Sequence, residues 1–433
     1  MTHHSRSRAR FARLAAASAA GALLLTGCSV TGATDSGADG DGTGTVNVLL
    51  MKQASYSEED QQKIADAFEK ANPDIDVKIT SVAYEALHDK ITTAAPAGTY
   101  DVVLVDVIWP AEFADKGIIA DITDRIPDSW SDEMLGGALE TAHYKDAYWG
   151  VPWVVSSKLF YYNAAQVEAV GASADDLETW DGVLDVARKI KAEQGVEHPL
   201  AWSWSQAEAL ICDYAQLLGA FGGEFVDADG KLIINDEAGV DALTWMKTTI
   251  DEGLTNPGST TFLEDDVLKT MSAGQASFTL NWESSLRDLN DESKSSIAGD
   301  AAVLQTPAGP DGARPSVNGN MALAITKNSK NQDAAWKFIE FASSQDIQDE
   351  FVTSSMPDWK SSYEDPAVLA TNPEVLEVAG KAFDDGILRP TVPAYNAVSQ
   401  VIQVELQNAL LGSKTPQQAL DDAVAEGNKL LKK

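Results

Sequence analysis

The chain has 433 residues, with 66 acidic against 32 basic side chains and a formal net charge of −34. Such acidity excludes a nucleic-acid partner, because holding phosphates needs a basic surface. Two cysteines and five dispersed histidines, two of them at positions 3 and 4, offer no metal cluster, and no motif asks for a cofactor.

The first segment carries Arg6, Arg8, Arg10 and Arg13 and no acid before position 28, followed by an apolar, alanine-rich run over 14–25. A basic start and a short apolar core predict a secretory signal over 1–27, too short for a membrane span of ~20 residues. The run ends Leu25-Thr26-Gly27-Cys28, which resembles the bacterial lipobox. That resemblance implies a diacylglyceryl group on Cys28 and a protein held at the extracytoplasmic face of the cell membrane. A plain signal peptide with an incidental cysteine is the alternative. Residues 28–45 are nearly all small or acidic and predict a flexible tether. Cys212 is then the sole unmodified thiol, so no intramolecular disulfide forms, and it is expected to sit buried as a small apolar residue. About 400 residues remain, enough for two or more lobes.

The folded part opens with alternating Val46, Val48 and Leu50, a strand. Ser57 and Asp60 suit the start of a helix over 57–73, with Ile64, Ala65 and Phe68 on its apolar face and Pro73 stopping it. A second strand follows over 75–83 and a second helix over 84–98. "YDVVLVDV" (100–107) reads as a parallel strand buried on both faces. Strand–helix–strand–helix–strand predicts an open, doubly wound α/β sheet. Residues 150–163 are apolar and β-rich; 179–195, 209–223 and 240–253 read as amphipathic helices. Strands are expected over 275–284 and 320–329, and helices over 332–351, 395–412 and 415–433, the last with Pro416 near its start.

In such a sheet ligands collect beyond the carboxyl ends of strands. Asp106 ends one strand and Trp109 follows it: a carboxylate to accept from hydroxyls and an indole to pack on the C–H face of a sugar. A helix cap for Asp106 and core packing for Trp109 are the alternatives. Trp202 and Trp204 stand two apart before a helix that carries Glu208, and one indole is expected to face the core and the other a cleft. Trp282 ends a strand beside Asn281, Gly319 permits close backbone approach, Arg389 offers a fork of donors, and Tyr395 starts a helix. Eleven tryptophans, several near strand ends, suit a carbohydrate site of aromatic platforms rimmed by polar groups. No nucleophile elbow, zinc helix motif or phosphate loop is present.

Several stretches, in order, resemble the extracytoplasmic solute-binding proteins of carbohydrate ABC importers of the maltose/trehalose-binding type. They are "FEKANPDIDV" (68–77), "YDVVLVDVIWPAEFADKGIIADIT" (100–123), "YWGVPWVVSSKLFYYN" (148–163), "LNWESS" (280–285), "ALAITKNSKNQDAAWKFIEFASS" (322–344) and "RPTVPAYNAVSQVIQVELQNALLG" (389–412). The resemblance implies a two-lobed periplasmic-binding-protein-like fold of type II, with hinge crossings near 153–158, 315–320 and 353–358. Lobe one would be 46–154 plus 319–353, and lobe two 157–316 plus 357–433. It implies a monomer that closes on a sugar and delivers it to membrane permease subunits, without catalysis. Asp106 looks like the first-lobe carboxylate, Glu208, Trp282 and Arg389 like second-lobe contacts, and Gly319 like a glycine whose backbone approaches the sugar. Asn318-Gly319-Asn320 stands where relatives often have Gly-Gly-Trp, and Asn281-Trp282-Glu283 where many have Asn-Trp-Pro. A lipid-anchored glycoside hydrolase and the same fold binding a polyol or other solute are the rival readings.

Overall fold

The computed structural model describes residues 42–52, 55–384 and 386–432. The signal segment, Cys28 and residues 28–41 of the tether lie outside the described residues.

The first sheet is built from β1 (Gly44–Met51), β2 (Ile75–Val82), β3 (Val102–Asp106), β6 (Val151–Val154) and β10 (Met321–Ile325), in the order β2-β1-β3-β10-β6. β1 runs parallel to β2 and β3, while β10 is antiparallel to both β3 and β6. Every residue of β3 is buried, as expected of a strand covered on both faces. A two-stranded hairpin, β4 (His143–Tyr144) with β5 (Ala147–Tyr148), precedes β6. Its tight turn holds Lys145 and Asp146 at φ of 52° and 60°.

The second sheet comprises β7 (Lys158–Asn163), β8 (Phe278–Trp282) and β9 (Ala301–Leu304), in the order β8-β7-β9. Its strand pairs are antiparallel, not parallel. The single apolar stretch 150–163 therefore divides between two sheets. Successive side chains of β7 point to opposite faces. Phe160 joins a core with Trp180, Trp202, Leu210 and Phe278, while Leu159 and Tyr161 join one with Val267, Met271 and Leu376. The first sheet has its own core, including Val48, Phe68, Leu104 and Phe338.

Local signals set most helix ends. Ser57 and Asp60 form a reciprocal capping box ahead of Glu58–Ala71. Thr179 caps Trp180–Gln194, which ends on Gly195 at φ 72°, a left-handed conformation that glycine adopts without cost. Three expectations change. The helix expected over 84–98 ends at Ala94 in a short 3-10 turn containing Pro96. The helix expected over 332–351 breaks into Gln332–Ala342 and Gln345–Glu350 at Ser343 and Ser344. Glu208–Ala220 is buried on nearly every side rather than amphipathic, because helices pack around it.

The two sheets are joined by strands lying side by side. Val155 pairs with Met356, Ser157 with Asn318, and Val317 with Ile387. Gly319 N–H donates to Ser156 O at 3.0 Å. The segment after β3 reaches the same place, since Val107 N–H donates to Asn320 O at 3.0 Å.

Candidate functional site

Where these strands cross, a cavity of about 440 Å³ opens between the two sheets. That volume falls within the ~300–1,000 Å³ typical of small-ligand sites. Asp106, Gly319 and Tyr84 line it from the first sheet's side, and Glu208, Trp282 and Arg389 from the second's.

The charged members are joined to one another. Arg389 is 3% exposed. Its Nη1 donates to Glu208 Oε1 at 2.9 Å, and its Nη2 donates to Asp106 Oδ1 at 3.1 Å and to Asn318 O at 3.1 Å. Its Nε is buried with no hydrogen-bond partner among the described residues. Asp106 Oδ2 accepts from Tyr84 Oη at 2.8 Å. Glu208 Oε1 accepts from Tyr395 Oη at 2.5 Å and its Oε2 from Ser399 Oγ at 2.6 Å. Each buried charge is thereby paired and hydrogen-bonded, the condition under which burial is tolerated. Burial, with the Asp106 charge second, pushes the Tyr84 phenol well above its ordinary range. Burial, with the Glu208 charge second, does the same for Tyr395. Both hydroxyls remain donors.

Trp282 supplies an indole to the cavity wall. Its backbone N–H donates to Asn281 Oδ1 at 2.9 Å, and its carbonyl accepts from Tyr161 Oη at 2.8 Å. Gly319 comes up against its six-membered ring: a Cβ there would lie 2.3 Å from Cζ3 and 2.7 Å from Cη2. The glycine is required by proximity, not by backbone angle.

Three expected contacts lie elsewhere. Trp109 is 2% exposed and packs against Tyr84, His88 and Phe113 at centroid separations of 5.4–5.8 Å, off the cavity. Both Trp202 and Trp204 are core residues, 1% exposed and stacked on each other at 5.6 Å. The Trp202 Nε1–H donates to Thr255 Oγ1 at 3.1 Å. Residues two apart on an extended segment share a face, so the two indoles go together into the same core. Tyr395 sits behind Glu208 and orients it, without lining the cavity. Cys212 is buried as expected, and burial pushes its thiol up to about 12, though it also reaches the cavity.

Sequence reasoning missed Tyr84, Ser156, Lys158 and Glu264. Of these only Lys158 carried a signal, as the one charge inside an apolar β-run. Its ammonium is fully buried; burial pushes it towards neutrality, but the Asp213 and Glu264 charges outweigh that and keep it protonated.

Glu283 is 3% exposed at the turn after β8. Ser156 Oγ donates to its Oε2 at 2.5 Å and Ser55 Oγ to its Oε1 at 3.5 Å, and no cation pairs with it among the described residues. Burial pushes it up to about 7 from an ordinary 4.5. A carboxyl whose folded value lies above its unfolded one binds its proton more tightly when folded. Its contribution to stability is therefore greatest below pH ~4.5 and declines as pH climbs to about 7. Asp358, also buried and pushed up to about 7, adds to the same trend. Melting curves between pH 4.5 and 8 should show Tm falling over this window. Glu283→Gln should flatten the fall, since an amide has no proton to lose; an unchanged slope would refute the assignment.

Among the described residues, no group of acidic, histidine and cysteine side chains could hold a metal ion, and no helix is long and apolar enough to cross a membrane.

Residues 53–349 match the family described as bacterial extracellular solute-binding protein. A putative binding protein of Brucella abortus is 26% identical over 413 residues, covering 95% of this chain and 98% of its own. A mannitol-binding protein of Pseudomonas aeruginosa is 22% identical over 383 residues, covering 83% of this chain and 87% of its own. The structure of maltose-bound T. maritima MalE3 superposes with a TM-score of 0.83 at 31% identity, covering 90% of this chain and 100% of that one.

Proposed function

Because the chain belongs to the bacterial extracellular solute-binding protein family, whose two-lobed members bind substrates for ABC transporters and are not enzymes, we propose that it captures a sugar between its lobes and delivers it to a membrane permease. We take lobe one as 46–154 plus 319–353 and lobe two as 157–316 plus 357–433. The observation that carries the reading is a cavity walled by both lobes. Asp106 and Gly319 stand on one side, with Glu208, Trp282 and Arg389 on the other. A ligand that touches both sides favours the closed form, because only there are all its contacts made. Trp282 supports the C–H face of a ring, and the Asp106–Arg389–Glu208 group receives the hydroxyls. The carboxylates and Arg389 already hold one another, so hydroxyls join an organised polar cluster. Maltose in the T. maritima relative supports a sugar ligand.

Cys28 at the lipobox-like site is proposed as the lipid anchor, with a tether that leaves the lobes free to dock on the permease and that stops short of the expected residue 45, because Gly44 and Thr45 already pair with Ile75 and Asp76 in β1.

A polyol is the second reading, favoured by the cavity itself. Among the described residues, Tyr84 and Trp282 are the aromatic side chains that line it, fewer than the several platforms that eleven tryptophans suggested. The mannitol-binding relative fits the same observation. Melting curves with maltose, trehalose, single-ring sugars and mannitol separate the two. A ligand present at 100 times its Kd stabilises the native state by about 2.7 kcal/mol. A rise of several degrees with a ring sugar, and recovery of that sugar unchanged, is the expected result. A rise with mannitol alone would transfer the reading to polyols, and no rise with any of them would end it.

A further inference from the structure

Lys158 begins β7 with none of its surface exposed. Its Nζ lies 2.6 Å from Asp213 Oδ1, 2.9 Å from Ser203 Oγ and 3.4 Å from Glu264 Oε1, which engages all three ammonium protons. The same Nζ stands 5.3 Å from the centroid of the Trp282 ring, within range of a cation–π attraction that desolvation strengthens.

A buried ion pair is weak evidence for a stabilising role. Taking both charges out of water offsets most of their attraction, and apolar side chains of similar volume often serve the fold as well. Where this network leads is more informative. Trp282 and Glu264 both line the cavity, while Asp213 and Ser203 anchor the ammonium from the core side. Glu264 is further held because its carbonyl accepts from Asn281 Nδ2 at 3.2 Å, and Asn281 Oδ1 takes the Trp282 N–H. The two residues thus share two ties: Lys158 joins ring to carboxylate, and Asn281 joins the backbones that carry them.

We infer that Lys158 is a positioning residue for ligand binding: from behind the cavity wall it holds the Trp282 ring and the Glu264 carboxylate in one fixed relation. A sugar ring resting on the indole then has a hydroxyl within reach of Glu264, which becomes an additional ligand contact. The inference rests on the sugar reading given above.

The test is Lys158→Met combined with Asp213→Asn, which removes both buried charges together, with Glu264→Gln as a second variant that leaves the buried pair intact. Two readouts are taken. In protein labelled with 5-fluorotryptophan, the Trp282 resonance, assigned through Trp282→Phe, reports ring placement without any ligand. Calorimetric titration with maltose reports binding. The double variant should melt within a few degrees of the parent, shift or broaden the Trp282 resonance, and bind maltose at least ten-fold more weakly. Glu264→Gln should weaken maltose several-fold at unchanged Tm. An unmoved resonance in the double variant overturns the positioning role. So does maltose affinity within two-fold of the parent in either variant, Glu264→Gln alone deciding if the double variant does not fold. Should the parent bind no maltose, the titration moves to whichever ring sugar raises its Tm; if none does, the sugar reading is at fault, and the ligand-free resonance still decides the positioning role.

Discussion

Arg389→Ala is expected to lower unfolding stability by about 3–5 kcal/mol and to leave no sugar binding measurable by calorimetry. The guanidinium lies between Asp106 and Glu208, which are 3% and 8% exposed. Removing it strands two carboxylates in a buried space, and each would have to be solvated anew or protonated. The loss would also cut a side chain that bonds to both sides of the cavity and to the carbonyl of Asn318 where the sheets are joined. Arg389→Lys retains the charge but not the planar fork, so it should recover part of the stability and little of the binding. Denaturant titration followed by circular dichroism, with calorimetry on the folded fraction, reads both quantities. An alanine variant within 1 kcal/mol of the parent, or one that still binds, would remove Arg389 from the centre of the site.

The second large effect is expected from Gly319→Ala, a single added methyl. Its Cβ would sit 2.3 Å from Trp282 Cζ3, well inside contact distance. The backbone has little freedom to retreat, because Gly319 N–H is bonded to Ser156 O and Asn318 pairs with Ser157 across the hinge. The indole must therefore swing away, giving up its place in the cavity wall. Overpacking of this kind costs about 1–3 kcal/mol of stability. Loss of the platform should weaken sugar binding by about 100-fold, or ~2.7 kcal/mol. Calorimetric titration of the folded variant is the check, and parental affinity would mean that the ring is not a ligand contact.

Some of the site was legible before any coordinates. Asp106 was visible because a carboxylate ending a wholly apolar strand is conspicuous, and Gly319 and Trp282 because they punctuate β-rich stretches. Arg389 was visible as a fork of donors suited to hydroxyls, although in so acidic a chain a surface ion pair was the stronger alternative. Trp109 was misread because an indole's sequence position does not say which apolar layer will cover it, and Trp202 with Trp204 because residues two apart on an extended segment share a face and so share a fate. Lys158 and Glu264 stayed hidden because their meaning lies in a distance, 3.4 Å between residues 106 positions apart.

What the sequence by itself determined are the features governed by neighbours along the chain. Strand and helix periods, the caps at Ser57 and Thr179, the left-handed stop at Gly195 and the acidic surface all follow from interactions spanning a few residues. What only the tertiary structure decided is everything that needs distant segments to meet. The apolar stretch 150–163 divided between two sheets, the strand pairs of the second sheet proved antiparallel, and a guanidinium met a carboxylate 283 positions away. Such meetings depend on which faces bury one another, a property of the packed whole that no local pattern encodes.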